Sequence, residues 1–274
     1  MSLFIPQVAT QVYTVLDKTM VGNITNDMAE VGYYDNAQKI VKALLCLVTA
    51  MSSVMSSRIA STFAEGNKDD MKVYLRQSIH LVWMIAVPFT LGLIGISRAF
   101  VPWYFGEGYE PVRYLMCATT PILLAIGLSN ITGIQYLIQV GEQKIYTFSV
   151  VVGAIVNMIF NFILIHAIGT IGAVISTVLA EYTILAVQLY FVHQDISVKE
   201  FFKPSIKYLI AGIVMLLCVV LTGYFITNIS LFIAISIMVG IVVYIAMLFL
   251  LKDTFFLLIC KQIIWKFLKR NKGE

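Results

Sequence analysis

Long apolar stretches separated by short polar segments run through most of this chain. They predict helices at about 3–21, 31–63, 78–104, 112–140, 145–168, 171–192, 206–226 and 229–251, and a basic amphipathic segment from about 254 to 270. A stretch of about 18 or more apolar residues can cross a bilayer as an α-helix. The pattern therefore predicts an all-α integral membrane protein with eight transmembrane helices. The second helix would be about 50 Å long, so it must tilt strongly or extend beyond the bilayer.

The composition supports this class and excludes several others. Of the 274 residues, 59% are hydrophobic and 12% are charged, whereas a soluble domain carries about 25% charged residues. The four cysteines are far apart and match no metal or redox spacing. The sequence contains no basic stripe for nucleic acid, no histidine pair at metal-ligand spacing and no catalytic motif. We therefore expect no enzyme, no cofactor, no bound metal and no nucleic-acid partner.

The distribution of lysine and arginine predicts the orientation. Basic residues follow the second and sixth helices and fill the C-terminal tail, whereas the segments at 23–30, 167–172 and 227–228 contain none. Basic loops stay in the cytoplasm. Both termini are therefore predicted to be cytoplasmic, with Arg98 and Arg113 as the two basic residues on the outer side.

The first predicted helix carries a polar stripe. Gln7, Gln11, Thr14 and Lys18 are separated by steps of four, three and four residues, which places them on one helical face. Lipid does not tolerate such a face cheaply, so it is expected to point at protein or water. Hydrogen bonding between helices explains the glutamines and threonine equally well. Lys18, beside Asp17, either faces a water-filled cavity or extends to the membrane surface.

The second helix carries Asp35, Lys39 and Lys42 on one face. Asp35 and Lys39 have the spacing of a local ion pair, which would leave Lys42 without a counter-charge. If the span begins at Val31, Lys42 lies about 16 Å deep, near the bilayer midplane. If hydrocarbon begins only at Ile40, Lys42 is interfacial. The first alternative makes Lys42 a cation of an internal cavity.

Two further positions carry polar groups deep in predicted spans. Glu181 lies about 15 Å into the sixth helix and has no partner within its own helix. Either a lysine or arginine of another span pairs with it, or it is protonated, and proton or cation coupling is the functional interpretation. Asn157 and Asn161 on the fifth helix, one turn after Gly153, predict a close hydrogen-bonded contact between helices.

Nine short segments carry recognisable motifs, at 4–7, 15–22, 31–39, 57–60, 63–67, 133–137, 157–161, 172–173 and 180–181. In this order they resemble the motifs of the Wzx-type oligosaccharide-unit flippases of the multidrug/oligosaccharidyl-lipid/polysaccharide exporter superfamily. The resemblance covers about residues 3–195.

The resemblance implies a fold and a domain organisation. Residues 1–195 would form the second six-helix bundle of such a flippase, residues 196–252 two additional transmembrane helices, and residues 253–274 a basic amphipathic cytoplasmic tail. The family's first bundle has no counterpart in this sequence. Since the chain also begins inside a predicted membrane helix, we expect a missing N-terminal bundle or a partner that supplies it.

The resemblance also implies an activity. Such proteins move undecaprenyl-diphosphate-linked sugar units across the bacterial cytoplasmic membrane for capsule or O-antigen synthesis. The lipid-linked oligosaccharide diphosphate and membrane lipids would be the partners. The substrate-binding residues would be Lys18, Lys39, Lys42, Gln11 and, at the cytoplasmic mouth, Arg58.

Three acidic residues would moderate the attraction of that site for its ligand or couple transport to an ion, namely Asp17, Asp35 and Glu181. Three alternatives remain open. They are a cation-coupled multidrug exporter of the same superfamily, a membrane glycan polymerase or ligase, and a structural subunit.

Overall fold

The computed structural model describes residues 4–194 and 196–271, and every regular element in those residues is a helix. The α-helices are α1 (Phe4–Thr25), α2 (Met28–Ala64), α3 (Lys68–Phe105), α4 (Glu110–Thr119), α5 (Ile122–Asn130), α6 (Gln143–Ile168), α7 (Thr170–Val192), α8 (Val198–Phe202), α9 (Ser205–Thr222), α10 (Ile229–Leu250) and α11 (Thr254–Asn271), and a π-helix spans Ile131–Leu137. The predicted all-α class is confirmed.

Within the described residues, seven helical segments are long and apolar enough to cross a membrane. They comprise α2, α3, the α4–α5–π segment, α6, α7, the α8–α9 segment and α10. The first helix, α1, is not among them, since Asp17, Lys18 and two glutamines interrupt its apolar run. The chain is therefore a multi-pass membrane protein, while the count of eight spans stays a prediction.

The second helix has the excess length that the sequence predicted. It contains 37 residues, which corresponds to about 55 Å. Asp27 begins α2 as an N-cap, because its carboxylate accepts a hydrogen bond from the backbone N–H of Ala29 at 2.8 Å. Gly66, at φ 76°, separates α2 from α3.

The predicted start of the third helix at residue 78 is wrong, because α3 already begins at Lys68. Asn67 caps it by accepting a hydrogen bond from the N–H of Asp70 at 3.2 Å. The first turns of α3 are polar, so a search for apolar runs misses them. A polar segment can be helical when its backbone is capped and one side packs against protein.

The prediction of one continuous helix over 112–140 is also wrong. Pro121, which has no N–H to donate to a helix, lies between α4 and α5. The π-helix then follows α5, and the N–H of Ile138 donates to the carbonyl of Gly133, five residues earlier, at 3.0 Å. Such widened turns often occur at functional sites.

The helix packing places α1 against α6 and α2, and α6 against α7 along most of their lengths. Gly153 permits the close approach of α6 and α7, because a Cβ at this position would collide with the side chain of Ile184. The last two spans, α9 and α10, pack on each other and on α3. Beyond them, α11 occupies the predicted amphipathic segment, and residues 272–274 of the predicted tail lie outside the described residues.

Candidate functional site

A cavity of about 480 Å³ lies among α1, α2, α5, α6 and α7, and we call it the central cavity. It brings together six of the charged residues that the sequence analysis selected. These are Asp17, Lys18, Asp35, Lys39, Lys42 and Glu181. Its other polar lining residues are Thr10, Tyr13, Thr14, Tyr34, Gln38, Ser129, Asn130, Tyr146, Thr177 and Gln188.

An acid held between two lysines forms one wall of the central cavity. The Lys39 ammonium lies 2.7 Å from Oδ2 of Asp35, and the Lys18 ammonium contacts Oδ1 of the same carboxylate. The local pair of Asp35 and Lys39 is thereby confirmed. The second partner, Lys18, comes from α1, so this ion triad also joins α1 to α2. The side chain of Lys39 is 69% exposed, whereas that of Asp35 is 25% exposed.

Lys42 lies one helical turn after Lys39 on the same face of α2 and is exposed. Among the described residues, no carboxylate lies within salt-bridge distance of its ammonium group. This agrees with the expectation that the local pair leaves Lys42 without a counter-charge. Its ammonium group is therefore the one among the three cavity lysines that can bind an anion without first leaving a carboxylate.

Asp17 is 1% exposed and lies at a four-helix junction. Its Oδ2 accepts hydrogen bonds from the hydroxyls of Tyr34 on α2 (2.9 Å) and Thr177 on α7 (3.0 Å), and its Oδ1 accepts from the amide of Asn161 on α6 (2.5 Å). The same Asn161 amide also donates to Oδ1 of Asn157 at 3.1 Å. The asparagine pair thus lies in the α1–α6 contact.

The Asp17 carboxyl has no cation within salt-bridge distance among the described residues. Oδ1 of Asn161 and Nδ2 of Asn157 are buried without a hydrogen-bond partner there. An ionised carboxylate in such surroundings costs several kcal/mol unless charge compensates it. A proton, or a hard monovalent cation bound by the carboxylate, amide and hydroxyl oxygens, would supply that compensation.

Glu181 is 7% exposed and accepts a hydrogen bond from the Tyr13 hydroxyl at 2.8 Å. The lysine or arginine partner that the sequence allowed is absent within salt-bridge distance in the described part of the chain. Glu181 is bonded instead to a neutral donor, the Tyr13 hydroxyl on α1. Two of the three acids of the central cavity are therefore buried and bonded to neutral groups.

Two candidate residues lie away from the central cavity. Gln11 lines an adjoining groove on α1 together with Gln7 and Tyr146. Arg58 is exposed and lies on α2 four turns beyond Lys42, outside the lining of the central cavity. The lining as a whole contains three lysines and three carboxylates, so acidic and basic side chains are equal in number. Its exposed charges, however, are mainly those of lysines.

Sequence reasoning missed several residues that shape the site. Tyr13, Tyr34 and Thr177 were not selected, although they hold the buried acids. Gln38 is 4% exposed and lines the central cavity, and neither polar atom of its amide has a hydrogen-bond partner in the described part of the protein. Its spacing of four residues from Tyr34 was the signal available in the sequence.

Comparison with known proteins gives a family match and several distant relatives. The profile of the family described as lipid II flippase MurJ matches residues 1–248. A protein of Escherichia coli named as an O-antigen transporter is 24% identical over 193 residues, which cover 70% of this chain and 46% of that protein. The lipid II flippase MurJ of Bacillus subtilis is 22% identical over 183 residues, covering 65% of this chain and 34% of that protein. This chain thus spans less than half the length of either relative.

Solved structures show the same fold. A lipid II flippase MurJ in an inward closed conformation superposes with a TM-score of 0.79 and 21% identity, covering 92% of this chain and 53% of that one. An outward-facing multidrug transporter of the MATE family superposes with a TM-score of 0.62 and 13% identity, covering 90% and 63% respectively.

Proposed function

The chain belongs to the family of the lipid II flippase MurJ, and we propose from this that it takes part in moving undecaprenyl-diphosphate-linked oligosaccharide units across the bacterial cytoplasmic membrane. The observation that carries the proposal is the convergence of Lys18, Lys39 and Lys42 on one cavity between transmembrane helices. Cations within membrane-spanning segments are rare and costly, and they commonly mark a binding or transport pathway.

The three lysines would bind the diphosphate. Lys42 makes the first contact, because in the described part of the chain its ammonium group has no carboxylate to leave. Lys18 and Lys39 would then exchange part of their contact with Asp35 for phosphate oxygens, since ammonium groups form their strongest hydrogen bonds with charged acceptors. Asp35 remains between them and lowers the affinity, so that the ligand can leave on the opposite side.

The sugar unit would lie against the neutral polar lining. Gln38 offers an amide whose two polar atoms have no protein partner in the described residues, and Ser129 and Asn130 line the same cavity. Neutral donors and acceptors suit sugar hydroxyls. We propose transport and not catalysis as the activity, in keeping with the flippase family. Gln11 would contact the ligand from the adjoining groove, and Arg58 would attract it near the end of α2.

A second bundle would close the central cavity. Lys39 and Lys42 are exposed, and alternating access requires two bundles that move around a shared site. We propose that α1 is the eighth span and that its polar face lies buried between the two bundles. We also propose that both termini lie in the cytoplasm, because the basic residues are concentrated in the segments on that side.

Asp17 would couple transport to an ion. It is buried, has no cation partner among the residues that the structure describes, and joins α1 to α2, α6 and α7. Binding and release of a proton or monovalent cation there would change the charge at the point where these helices meet. Such a change can favour one arrangement of α1 over another. Glu181, bonded to Tyr13 of α1, would contribute to the same coupling.

The test of the proposal is binding of undecaprenyl diphosphate to the purified chain in detergent, measured by native mass spectrometry. The Lys42→Gln variant should bind about ten-fold or more weakly, because a hydrogen bond to a charged group is worth about 1.5–3 kcal/mol. Lys72→Gln, an exposed lysine outside the central cavity, is the matched control and should bind as the unmodified chain does. Equal binding of uncharged undecaprenol, or unchanged binding by Lys42→Gln, would rule the proposal out.

The second candidate is export of lipophilic cations. The fold similarity to a MATE transporter and the buried acids Asp17 and Glu181 favour it. Tetraphenylphosphonium is the probe for this alternative. Binding of that cation, abolished by Glu181→Gln and not by Lys42→Gln, would support the exporter and contradict the flippase.

A further inference from the structure

A second polar cavity, of about 350 Å³, lies apart from the central cavity, where α3, the α8–α9 segment and the start of α11 meet. We call it the basal pocket. Its ionisable lining residues are Arg76, His80, Glu200, Lys203, Lys207 and Asp253. None of them lines the central cavity, and the proposed transport does not use them.

The two acids of the basal pocket are already engaged by the protein. Glu200 accepts two hydrogen bonds from the guanidinium of Arg76, at 3.0 and 3.1 Å. Asp253 is 2% exposed and accepts from the Tyr208 hydroxyl at 3.2 Å and from the backbone N–H of Phe256 at 2.9 Å. Both carboxylates thus already have partners within the protein, Asp253 in a buried position and Glu200 in an exposed ion pair.

Lys203 and Lys207 are the charged residues of the basal pocket that can bind an external ligand. Neither Lys203 nor Lys207 has a carboxylate within salt-bridge distance in the described part of the chain. Lys207 is half-buried and donates to the carbonyl of Lys252 at 3.2 Å, which holds its ammonium group at the pocket, while Lys203 is exposed. With Arg76, the lining contains three cations against two anions, so the pocket is positive.

The walls of the basal pocket are fixed to the helical bundle. The indole N–H of Trp83 on α3 donates to the carbonyl of Phe201 at 3.2 Å, which attaches the α8–α9 segment. The His80 ring stacks on Phe255 of α11, with ring centroids 5.1 Å apart, and its Nδ1 lies 3.1 Å from the Tyr208 hydroxyl. Three elements therefore position the two lysines.

Apolar side chains beside the lysines indicate where the pocket lies in the bilayer. Phe202 is 40% exposed and Ile206 is 63% exposed, and each is the chain neighbour of a pocket lysine. Exposed apolar residues of a spanning segment face acyl chains, and an amphipathic basic helix such as α11 lies in the headgroup region. Such a placement of α9 and α11 would put the basal pocket at the boundary between hydrocarbon and headgroups.

We propose that the basal pocket binds the phosphate of an anionic phospholipid, of the phosphatidylglycerol type, in the leaflet at which α11 lies. Lys203 and Lys207 hold the phosphodiester, and the exposed Thr254 hydroxyl faces the polar headgroup. Ile206 and Phe202 contact the first part of the acyl chains. Basic pockets between transmembrane helices recognise anionic headgroups in this way. The bound lipid joins α9 and α11 to α3.

The test is retention of phosphatidylglycerol by the purified chain in detergent, titrated and counted by native mass spectrometry. The Lys203→Gln/Lys207→Gln variant should bind the first lipid about 25-fold more weakly, at about five-fold for each lysine. The matched control is Lys72→Gln/Lys261→Gln, which removes the same charge from exposed lysines outside the pocket and should bind nearly as the unmodified chain does. Thermal melting checks that both variants fold.

Three results would overturn the proposal. If phosphatidylglycerol binding weakened equally in the two double variants, the lipid would be attracted by the overall surface charge and not by the basal pocket. Equal retention of phosphatidylcholine would show that the anionic headgroup is not recognised. Displacement of phosphatidylglycerol by millimolar inorganic phosphate would identify a site for the free anion and not for a lipid. The assay contains no undecaprenyl diphosphate, so its outcome is independent of the proposed transport.

Discussion

Replacing Asp35 by asparagine should strengthen binding of the diphosphate ligand, although it removes a charged residue from the site. Asp35 holds the ammonium groups of Lys18 and Lys39. A ligand that recruits these lysines must compete with the carboxylate. In Asp35→Asn both lysines keep their charge, and the competitor is gone.

The magnitude follows from the two ion pairs and their exposure. The side chains of Lys18, Lys39 and Asp35 are 40%, 69% and 25% exposed, so each pair belongs with solvent-screened ion pairs, which are worth about 0.2–1 kcal/mol. Releasing both amounts to about 0.4–2 kcal/mol, or a gain in affinity of about two- to thirty-fold. The gain should shrink at high salt, because salt already screens the competing pairs.

The assay is titration with undecaprenyl diphosphate in detergent at low and high salt, followed by native mass spectrometry. Asp69→Asn removes an exposed carboxylate on α3, outside the central cavity, and is the matched control. In a double-mutant cycle, Asp35→Asn should gain less affinity when Lys39 is also replaced by Gln, since only one freed lysine remains. Weaker binding by Asp35→Asn, or equal gains in Asp35→Asn and Asp69→Asn, would refute this account of the site.

Two further predictions concern packing and coupling. Gly172→Ala should lower the free energy of unfolding by about 1–3 kcal/mol, because the added Cβ would collide with the backbone carbonyl of Leu164. Thermal melting should show no such loss for Gly32→Ala, since a Cβ at Gly32 meets nothing within 4 Å. Similar melting of the two variants would contradict the close contact at Gly172. If Asp17 is the coupling group, Asp17→Asn should weaken the dependence of diphosphate binding on sodium or potassium, measured at constant pH and ionic strength. The unmodified chain and Asp69→Asn should keep that dependence, and its full retention in Asp17→Asn would exclude the role.

Local features of this protein were predictable from the sequence. The spans follow from apolar runs long enough to cross a bilayer, and these runs gave the long α2 and the membrane class. The pair of Asp35 and Lys39 followed from a spacing of four residues on one helix. Gly153 beside Asn157 and Asn161 indicated a close helix contact, because small residues let helices approach. Each of these inferences needs only the geometry of a single helix.

Two predictions of helix boundaries were wrong, because the hydropathy of a segment does not determine the hydrogen bonding of its backbone. The first turns of α3 are polar, so their helical state depends on the Asn67 cap and on packing. The segment 112–140 is apolar throughout most of its length, yet Pro121 and the widened π turn divide it. Apolar composition places such a segment in the membrane, but hydrogen bonding along the chain decides whether the helix is continuous.

The partners of the buried acids were decided only by the tertiary structure. Asp17 bonds Asn161, 144 residues away, and Thr177, 160 residues away, while Glu181 bonds Tyr13 across 168 residues. The sequence sets which face each helix presents, because the helical period is fixed. The rotation and depth of one helix against another depend on side-chain packing across the whole bundle. Only that packing decided that Lys18 meets Asp35, and that Asp17 faces hydroxyls and amides in place of a lysine.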